Sequence, residues 1–268
     1  MSLNLKQGKY FGQIVNERET KFFKLTLSSY EPEYIIEEHS HETDYFCILL
    51  RGLYLEEHTG TDTAINPGEI LYRPGYYQHK NKFNKEGGVC FNIEMKTLLN
   101  QQLKHENLLP LNYIKYNCGS LPSFYKLLSC FQGYYTDDLM LELITDLMSN
   151  LKSKDKTRKS LPWVEKIVKI IEERNDSFLS LNELAEQVYV HPVHLSRTFK
   201  AQTGITISEY QLKSRISKAM QLLFDNHFSI SDISQMSGFY DDSHFIRAFK
   251  FIYQISPHQF RISVNKLI

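Results

Sequence analysis

From Phe22 to Glu94 the apolar residues come in short runs: Phe22 to Leu27, Tyr34 to His39, Tyr45 to Leu50, Leu53 to His58, Glu69 to Arg73 and Val89 to Glu94. Turn signals at Asn66-Pro67-Gly68, Pro74-Gly75 and Gly87-Gly88 punctuate them. Short β-rich runs between such turns predict strands, and several at this spacing predict a small β-barrel or sandwich. Beyond Leu98 the period becomes helical, with Leu143, Ile144, Leu147, Met148 and Leu151 on one stripe. That stripe must be covered, either by the barrel or by its own copy across a two-fold axis.

From Ser160 onward the chain is dense in helix punctuation. Ser160-Leu161-Pro162 opens a helix whose Val164, Ile167, Val168 and Ile171 share one face. Four capping boxes follow, pairing Ser180 with Glu183, Thr206 with Glu209, Ser229 with Asp232 and Ser256 with Gln259. His191-Pro192 and Asp241-Asp242 open two further helices. A shift of 50 residues lays His194, Arg197, Phe199, Lys200 and Ile205 on His244, Arg247, Phe249, Lys250 and Ile255. Helix, turn, helix therefore occurs twice. In each copy Leu195 and Phe199, or Phe245 and Phe249, face inward, while Val193, Arg197 and Lys200, or Ser243, Arg247 and Lys250, face outward. Between the copies, Thr206 to Asp225 predicts a connecting helix of about 20 residues and about 30 Å, with Leu212, Ile216, Ala219 and Leu223 on its buried stripe.

The 268 residues suffice for two domains, and 42% apolar with 13% aromatic residues excludes disorder as the main state. The longest apolar stretch is the six residues from Tyr45 to Leu50, too short for a membrane span, and Met1 to Gln13 holds no signal-like apolar region, so a cytoplasmic location is expected. Cys47, Cys90, Cys118 and Cys130 are scattered without a C-x-x-C pair and read as reduced, mostly buried thiols. Residues 1–150 carry 14 basic and 19 acidic side chains, residues 151–160 five and one, and residues 161–268 twelve and eleven. The basic run at 151–160 reads as an interdomain linker, either a solvated hinge or a phosphate-contacting arm. The C-terminal part lacks a whole-domain basic excess, so any DNA interface there depends on local placement.

A second helix fits the major groove, where Arg reads guanine and an apolar side chain touches a thymine methyl. Two recognition helices held about one DNA turn apart, about 34 Å, would enter successive grooves. A helical protein-docking module is the alternative. The string Gly238-Phe-Tyr-Asp-Asp-Ser-His-Phe-Ile-Arg-Ala-Phe-Lys250, with Ile255-Ser-Pro257 and Phe260-Arg261, resembles the signature of the AraC/XylS family of bacterial transcription regulators. Leu184-Ala185 through Arg197-x-Phe-Lys200 to Gly204 is similar to that family's first unit. The resemblance covers roughly residues 160 to 265. It implies base contacts from Val193, Ser196 and Arg197 and from Asp242, Ser243 and Arg247, with Lys200 and Lys250 beside them. Ile246 stands where the first copy has Ser196 and would suit a thymine methyl. Asp242 is either a cytosine reader or a helix cap. Gln254 departs from the family's usual Gly at the helix end, which bears on stability.

The first half resembles the cupin-like sensor domain of many members, through His39-Ser-His41, Gly52, Gly68, Pro74 and His79. Three convergent histidines allow a divalent metal, a polar effector pocket or purely structural roles. Tyr45 stands where a metal cupin would place its carboxylate, and this favours an effector pocket of His39, His41, Tyr45 and His79 with no resident metal or cofactor. Tyr54 and Tyr72 are further lining candidates. The expected fold is α+β in two domains: a cupin-like β-barrel followed by helices, then an all-α domain of two helix-turn-helix motifs joined by a long helix. The expected boundaries are 1–100 for the sensor, 101–150 for a helical extension suited to dimerisation, 151–160 for the linker and 161–268 for the DNA-binding domain. The expected protein is a homodimeric, non-enzymatic regulator that binds promoter DNA and answers to a small-molecule effector. The competing expectation is a metal-dependent cupin enzyme with an accessory helical domain.

Overall fold

The computed structural model describes residues 3–117, 126, 128, 131, 136–153 and 161–267. The chain divides into two compact units, Met1–Lys152 with Arg261–Ile268, and Ser153–Phe260. Among the described residues no helix is long and apolar enough to cross a membrane.

The first unit is built on a mixed sheet of nine strands: β1 (Leu3–Leu5), β2 (Gln13–Glu19), β3 (Phe23–Tyr30), β4 (Ile35–His41), β5 (Tyr45–His58), β6 (Thr61–Ile65), β7 (Glu69–Arg73), β8 (His79–Met95) and β9 (Ile114–Asn117). Helix α1 (Thr97–His105) follows β8, and α2 (Asp137–Ser153) follows β9. The runs Tyr45 to Leu50 and Leu53 to His58, read as two strands, are halves of the single strand β5. Gly52 sits between them at φ 85°, where a Cβ would overlap the Gly87 carbonyl. Only glycine combines that dihedral with so close a backbone approach.

Strand β8 bends at the same level. Its first half pairs with β4 and the second half of β5, and its second half with β3 and the first half of β5. The two halves close over one apolar cluster that includes Ile36, Tyr45, Leu49, Tyr54, Ile65, Leu71 and Phe83. All residues from Tyr45 to Leu50 are buried, so both faces of this stretch are covered, which explains an unbroken apolar block in place of alternation. The closed barrel expected from the sequence is not what forms: the described sheet is open, running β1-β4-β8-β5-β7-β9. Its outermost strands have only three and four residues, a common way to blunt a sheet edge.

Residues 101–150 are not wholly helical, because β9 pairs with β7. On α2, Met140, Leu143, Ile144 and Met148 are buried within the chain, so this part of the stripe is not a free surface for a second copy. The side chains of Leu147 and Leu151 lie outside the described residues. Of the expected linker, 151–153 end α2, and 154–160 lie outside the described residues, as do Cys118 and Cys130.

The second unit contains α3 (Pro162–Glu173), α4 (Leu181–Val188), α5 (Pro192–Thr203), α6 (Ile207–Leu222), α7 (Ile230–Met236) and α8 (Asp242–Tyr253). A final helix, α9, spans Pro257–Asn265. All four capping boxes form, each with the hydroxyl accepting from the third amide onward and that residue's side chain accepting from the cap amide. Val164, Ile167 and Ile171 are buried on α3, and Val168 is half-buried. The connecting helix α6 has 16 residues, hence about 24 Å and not 30 Å. It ends early because the chain tightens through bonds from Phe224 N to Gln221 O and from Asp225 N to Leu222 O. This turn drives Phe224 inward against Phe260, with ring centroids 5.5 Å apart.

Candidate nucleic-acid interface and histidine pocket

Each helix-turn-helix copy pairs a short capped helix with a longer one: α4 with α5, and α7 with α8. The His191 ring accepts from Val193 N at the start of α5, Pro192 takes the first helical position, and Gly204 ends the helix at φ 80°. Leu195 and Phe199 are fully buried, while Val193, Arg197 and Lys200 are exposed and Ser196 is half-buried. In α8, Phe245 and Phe249 are fully buried, and Ser243, Ile246, Arg247 and Lys250 are exposed. The structure thus leaves Val193, Arg197 and Lys200 of the first copy, and Ser243, Arg247 and Lys250 of the second, exposed on equivalent helices. Asp241 is the cap, accepting from His244 N at 2.6 Å, so the half-buried Asp242 beside it does not serve as one. Gln254 takes the left-handed conformation at φ 63° and donates from Nε2 to Phe251 O at 2.8 Å.

Residues that join the copies escaped sequence reasoning. On α6, Gln211 brackets Leu179, accepting from its N–H and donating to its carbonyl, both at 2.9 Å. One turn later Arg215 donates from Nη1 to Gly238 O at 2.9 Å and lies 4.9 Å from the Phe239 ring and 5.6 Å from the Phe178 ring. Gly238, at φ 72°, abuts the backbone of Asp176 and Ser177, so the turn of the second copy rests on the segment leading into the first. The available signal was two polar residues, four apart, on an otherwise apolar helix face.

In the first unit, strand alternation puts His39 and His41 on one face of β4, and register puts His39 opposite His79 on β8. Ring centroids are 4.2 Å apart for His39 and His79, 5.4 Å for His39 and His41, and 4.6 Å for His41 and Tyr45. One ring nitrogen from each histidine lies within 4.8 Å of the other two. His39 donates from Nδ1 to Glu37 O at 2.9 Å, and His79 from Nδ1 to Tyr77 O at 3.1 Å. These bonds place the protons on Nδ1 and leave each Nε2 a lone pair. The Tyr45 hydroxyl lies 3.4 Å from His79 Nε2 and donates to it. Burial pulls His39 down to about 4 and His41 to about 3, and holds His79 well below its ordinary value, so all three are neutral at pH 7.

The four residues assigned to an effector pocket therefore do meet, around a cavity of 30 Å³. Tyr54 lines it too. Tyr72 does not; it faces away and donates to Asp44 Oδ2 at 2.6 Å. Cys47 and Cys90, both buried free thiols, lie on the same wall. Sequence reasoning also missed a buried ion pair in this pocket. Arg73 binds both oxygens of Glu56 and donates to the Tyr54 hydroxyl at 2.9 Å, and Asn81 donates to Glu56 at 3.2 Å. Glu94, a further buried carboxyl, accepts from Thr43 and from Gly8 N, and burial raises its pKa.

Residues 184–263 match the model of a helix-turn-helix domain family. The chain is 32% identical over 128 residues to the Msm operon regulatory protein of Streptococcus mutans, a match covering 47% of this chain and 45% of that protein. It is 25% identical over 265 residues to the transcriptional activator RhaS of Mannheimia succiniciproducens, covering 89% of this chain and 94% of the relative. Among solved structures, the C-terminal domain of AraT from Geobacillus stearothermophilus is 31% identical, with a TM-score of 0.38, covering 39% of this chain and 88% of that one. The matches span less than half the length of the first curated relatives, although RhaS is matched nearly throughout.

Proposed function

Because the chain belongs to the AraC/XylS family of transcriptional regulators, we propose that it binds promoter DNA through its duplicated helix-turn-helix unit and that its first unit adjusts this binding to a ligand. One observation carries the reading. Arg197 and Arg247 are exposed at the same position of two repeated helices, each seated on a fully buried aromatic core. In this reading Val193, Ser196 and Arg197, with Ser243, Ile246 and Arg247, face base edges, and Lys200 and Lys250 face phosphates. Asp242, relieved of capping by Asp241, is left to accept from a cytosine amino group.

The first unit acts as the sensor, with a cupin-like relationship expressed in the histidine spacing. A homodimer formed by this unit would present each reader twice, and sedimentation of the full chain tests that. The enzyme reading is the weaker one. Among the described residues no carboxylate joins the three histidines: Glu56 is engaged by Arg73 and Asn81, Glu94 by Thr43 and Gly8, and Asp44 by Tyr72 and Gly75.

Fluorescence anisotropy on promoter fragments tests the DNA assignment. Arg197→Ala and Arg247→Ala should each cost about 1–3 kcal/mol on the preferred site and little on random duplex. Equal losses on both would show that the arginines only hold phosphates.

A further inference from the structure

One wall of the cavity carries sulfur chemistry that neither the histidines nor the ion pair uses. Strand register sets Cys47 of β5 opposite Asn92 of β8 and Leu49 opposite Cys90, so Cys47, Cys90 and Asn92 share one face and line the same space. Both thiols are free and buried. Cys90 donates its S–H to the Cys47 sulfur, and this bond lowers the Cys47 thiol below its ordinary value against the opposing effect of burial, with Arg73 adding to the lowering. The same bond, together with burial, pushes Cys90 well up. Cys47 is thus the nucleophile of the pair, and Cys90 keeps its proton.

Asn92 supplies an independent observation. It is 2% exposed, lines the cavity beside Cys47, and its Nδ2 has no hydrogen-bond partner among the described residues. A buried donor left open in this way fits a small acceptor next to the sulfur. The cavity sets the size of that acceptor. One water needs about 10–15 Å³, so 30 Å³ holds about two oxygen atoms. Organic ligands occupy about 300–1,000 Å³.

We propose that Cys47 is a site of oxidation by hydrogen peroxide, with Asn92 holding the oxidant beside it. The Cys47 sulfur attacks one peroxide oxygen, and an S–O bond forms as the O–O bond breaks. The second oxygen takes the proton given up by the thiol and leaves as water. Sulfur is oxidised by two electrons to a sulfenic acid, and the peroxide is reduced by the same two. The product stays a sulfenic acid because Cys47 and Cys90 are diagonal neighbours, about 7–8 Å apart at Cα, beyond the reach of an unstrained disulfide. This inference concerns the first unit alone and goes beyond the regulator reading, on which it does not depend.

The test treats reduced full-length protein with hydrogen peroxide at pH 7, quenches it in denaturant containing dimedone, and maps the adducts by peptide mass spectrometry. The adduct should fall on Cys47 and not on Cys90. Hydrogen peroxide should oxidise Cys47 roughly tenfold or more faster than the bulky cumene hydroperoxide does, and this preference should disappear in the urea-unfolded chain. Neither measurement needs a variant. Asn92→Ala should slow the reaction several-fold and leave its pH profile in place, which separates contact with the oxidant from a change in the thiol. Cys47 left unmodified in the folded chain, equal rates with the two hydroperoxides, or a Cys47–Cys90 disulfide as first product overturns the oxidation site, and Asn92→Ala at the wild-type rate overturns the part given to Asn92.

Discussion

Arg215 offers the most informative perturbation in the second unit, because it joins the two copies without lying on either outward face. Arg215→Met keeps the stem and removes the guanidinium. A charge-assisted hydrogen bond to Gly238 O is lost, about 1.5–3 kcal/mol, and the carbonyl is left without that donor. Two aromatic contacts go with it, at about 0.5–1 kcal/mol each. Against this stands relief of burial. Arg215 Nε is buried without a hydrogen-bond partner among the described residues, and the guanidinium is held below its ordinary pKa by desolvation, so its removal returns about 1–3 kcal/mol. The net expectation is a loss of about 1–3 kcal/mol in urea unfolding, with an unchanged denaturant slope. The functional effect should be selective. Binding to a full site should weaken more than binding to a fragment holding one half-site, because only the full site uses the spacing between copies. Arg215→Met at wild-type stability, or with equal losses on full and half sites, would refute the idea that this residue sets that spacing.

Two more expectations concern stability. Gln254→Gly should stabilise by about 0.5–1 kcal/mol, since a non-glycine residue at φ 63° costs about 1–2 kcal/mol and glycine gives part of that back as chain entropy; a fall in the urea midpoint would contradict this. The reverse change, Gly204→Ala, meets no atom within 4 Å of the new Cβ and so isolates the dihedral cost, which should appear as a loss. Acid should destabilise the first unit. His39 and His41 titrate at about 4 and about 3 when folded, against an unfolded value near 6.5, so the unfolded chain binds more protons between those limits. Stability should then fall as pH drops below about 6.5, by up to about 1.4 kcal/mol per pH unit for each histidine. Glu94, raised by burial, binds its proton more readily when folded and opposes part of this just above its ordinary pKa of 4.5. His39→Gln should reduce the slope by about one proton, and urea midpoints measured between pH 7 and pH 5 check it.

The second unit was the more legible of the two, because its signals are local. Ser180, Thr206, Ser229 and Ser256 cap helices through residues three positions away, and the buried pairs Leu195 with Phe199 and Phe245 with Phe249 follow from helical period alone. In the first unit β7 was read to the residue, whereas β2 and β6 were not seen. Strand β2 is almost wholly exposed, so it carries no apolar alternation to detect. The first half of β8 does alternate, but its inward residues include His79 and Asn81, and the polarity that makes the pocket hides the strand. The histidines were found through the resemblance to the cupin-like sensor domain. The Arg73–Glu56 pair was not, since the two meet only when β5 bends at Gly52, and no pattern along the chain measures that bend. Nor does any local pattern assign Arg215 to the Gly238 carbonyl 23 residues away.

The continuity of β8 has a mechanical consequence. His79 is its first residue and Met95 its last, with Lys96 alone separating it from α1. A strand laced to its neighbours on both sides conveys a pull along its length, where a loose loop would dissipate it. The imidazole cluster and the root of α1 are therefore the two ends of one paired strand, and the close approach of Gly52 to Gly87 and Gly88 makes the crossing of β5 and β8 the point that a larger side chain would disturb most.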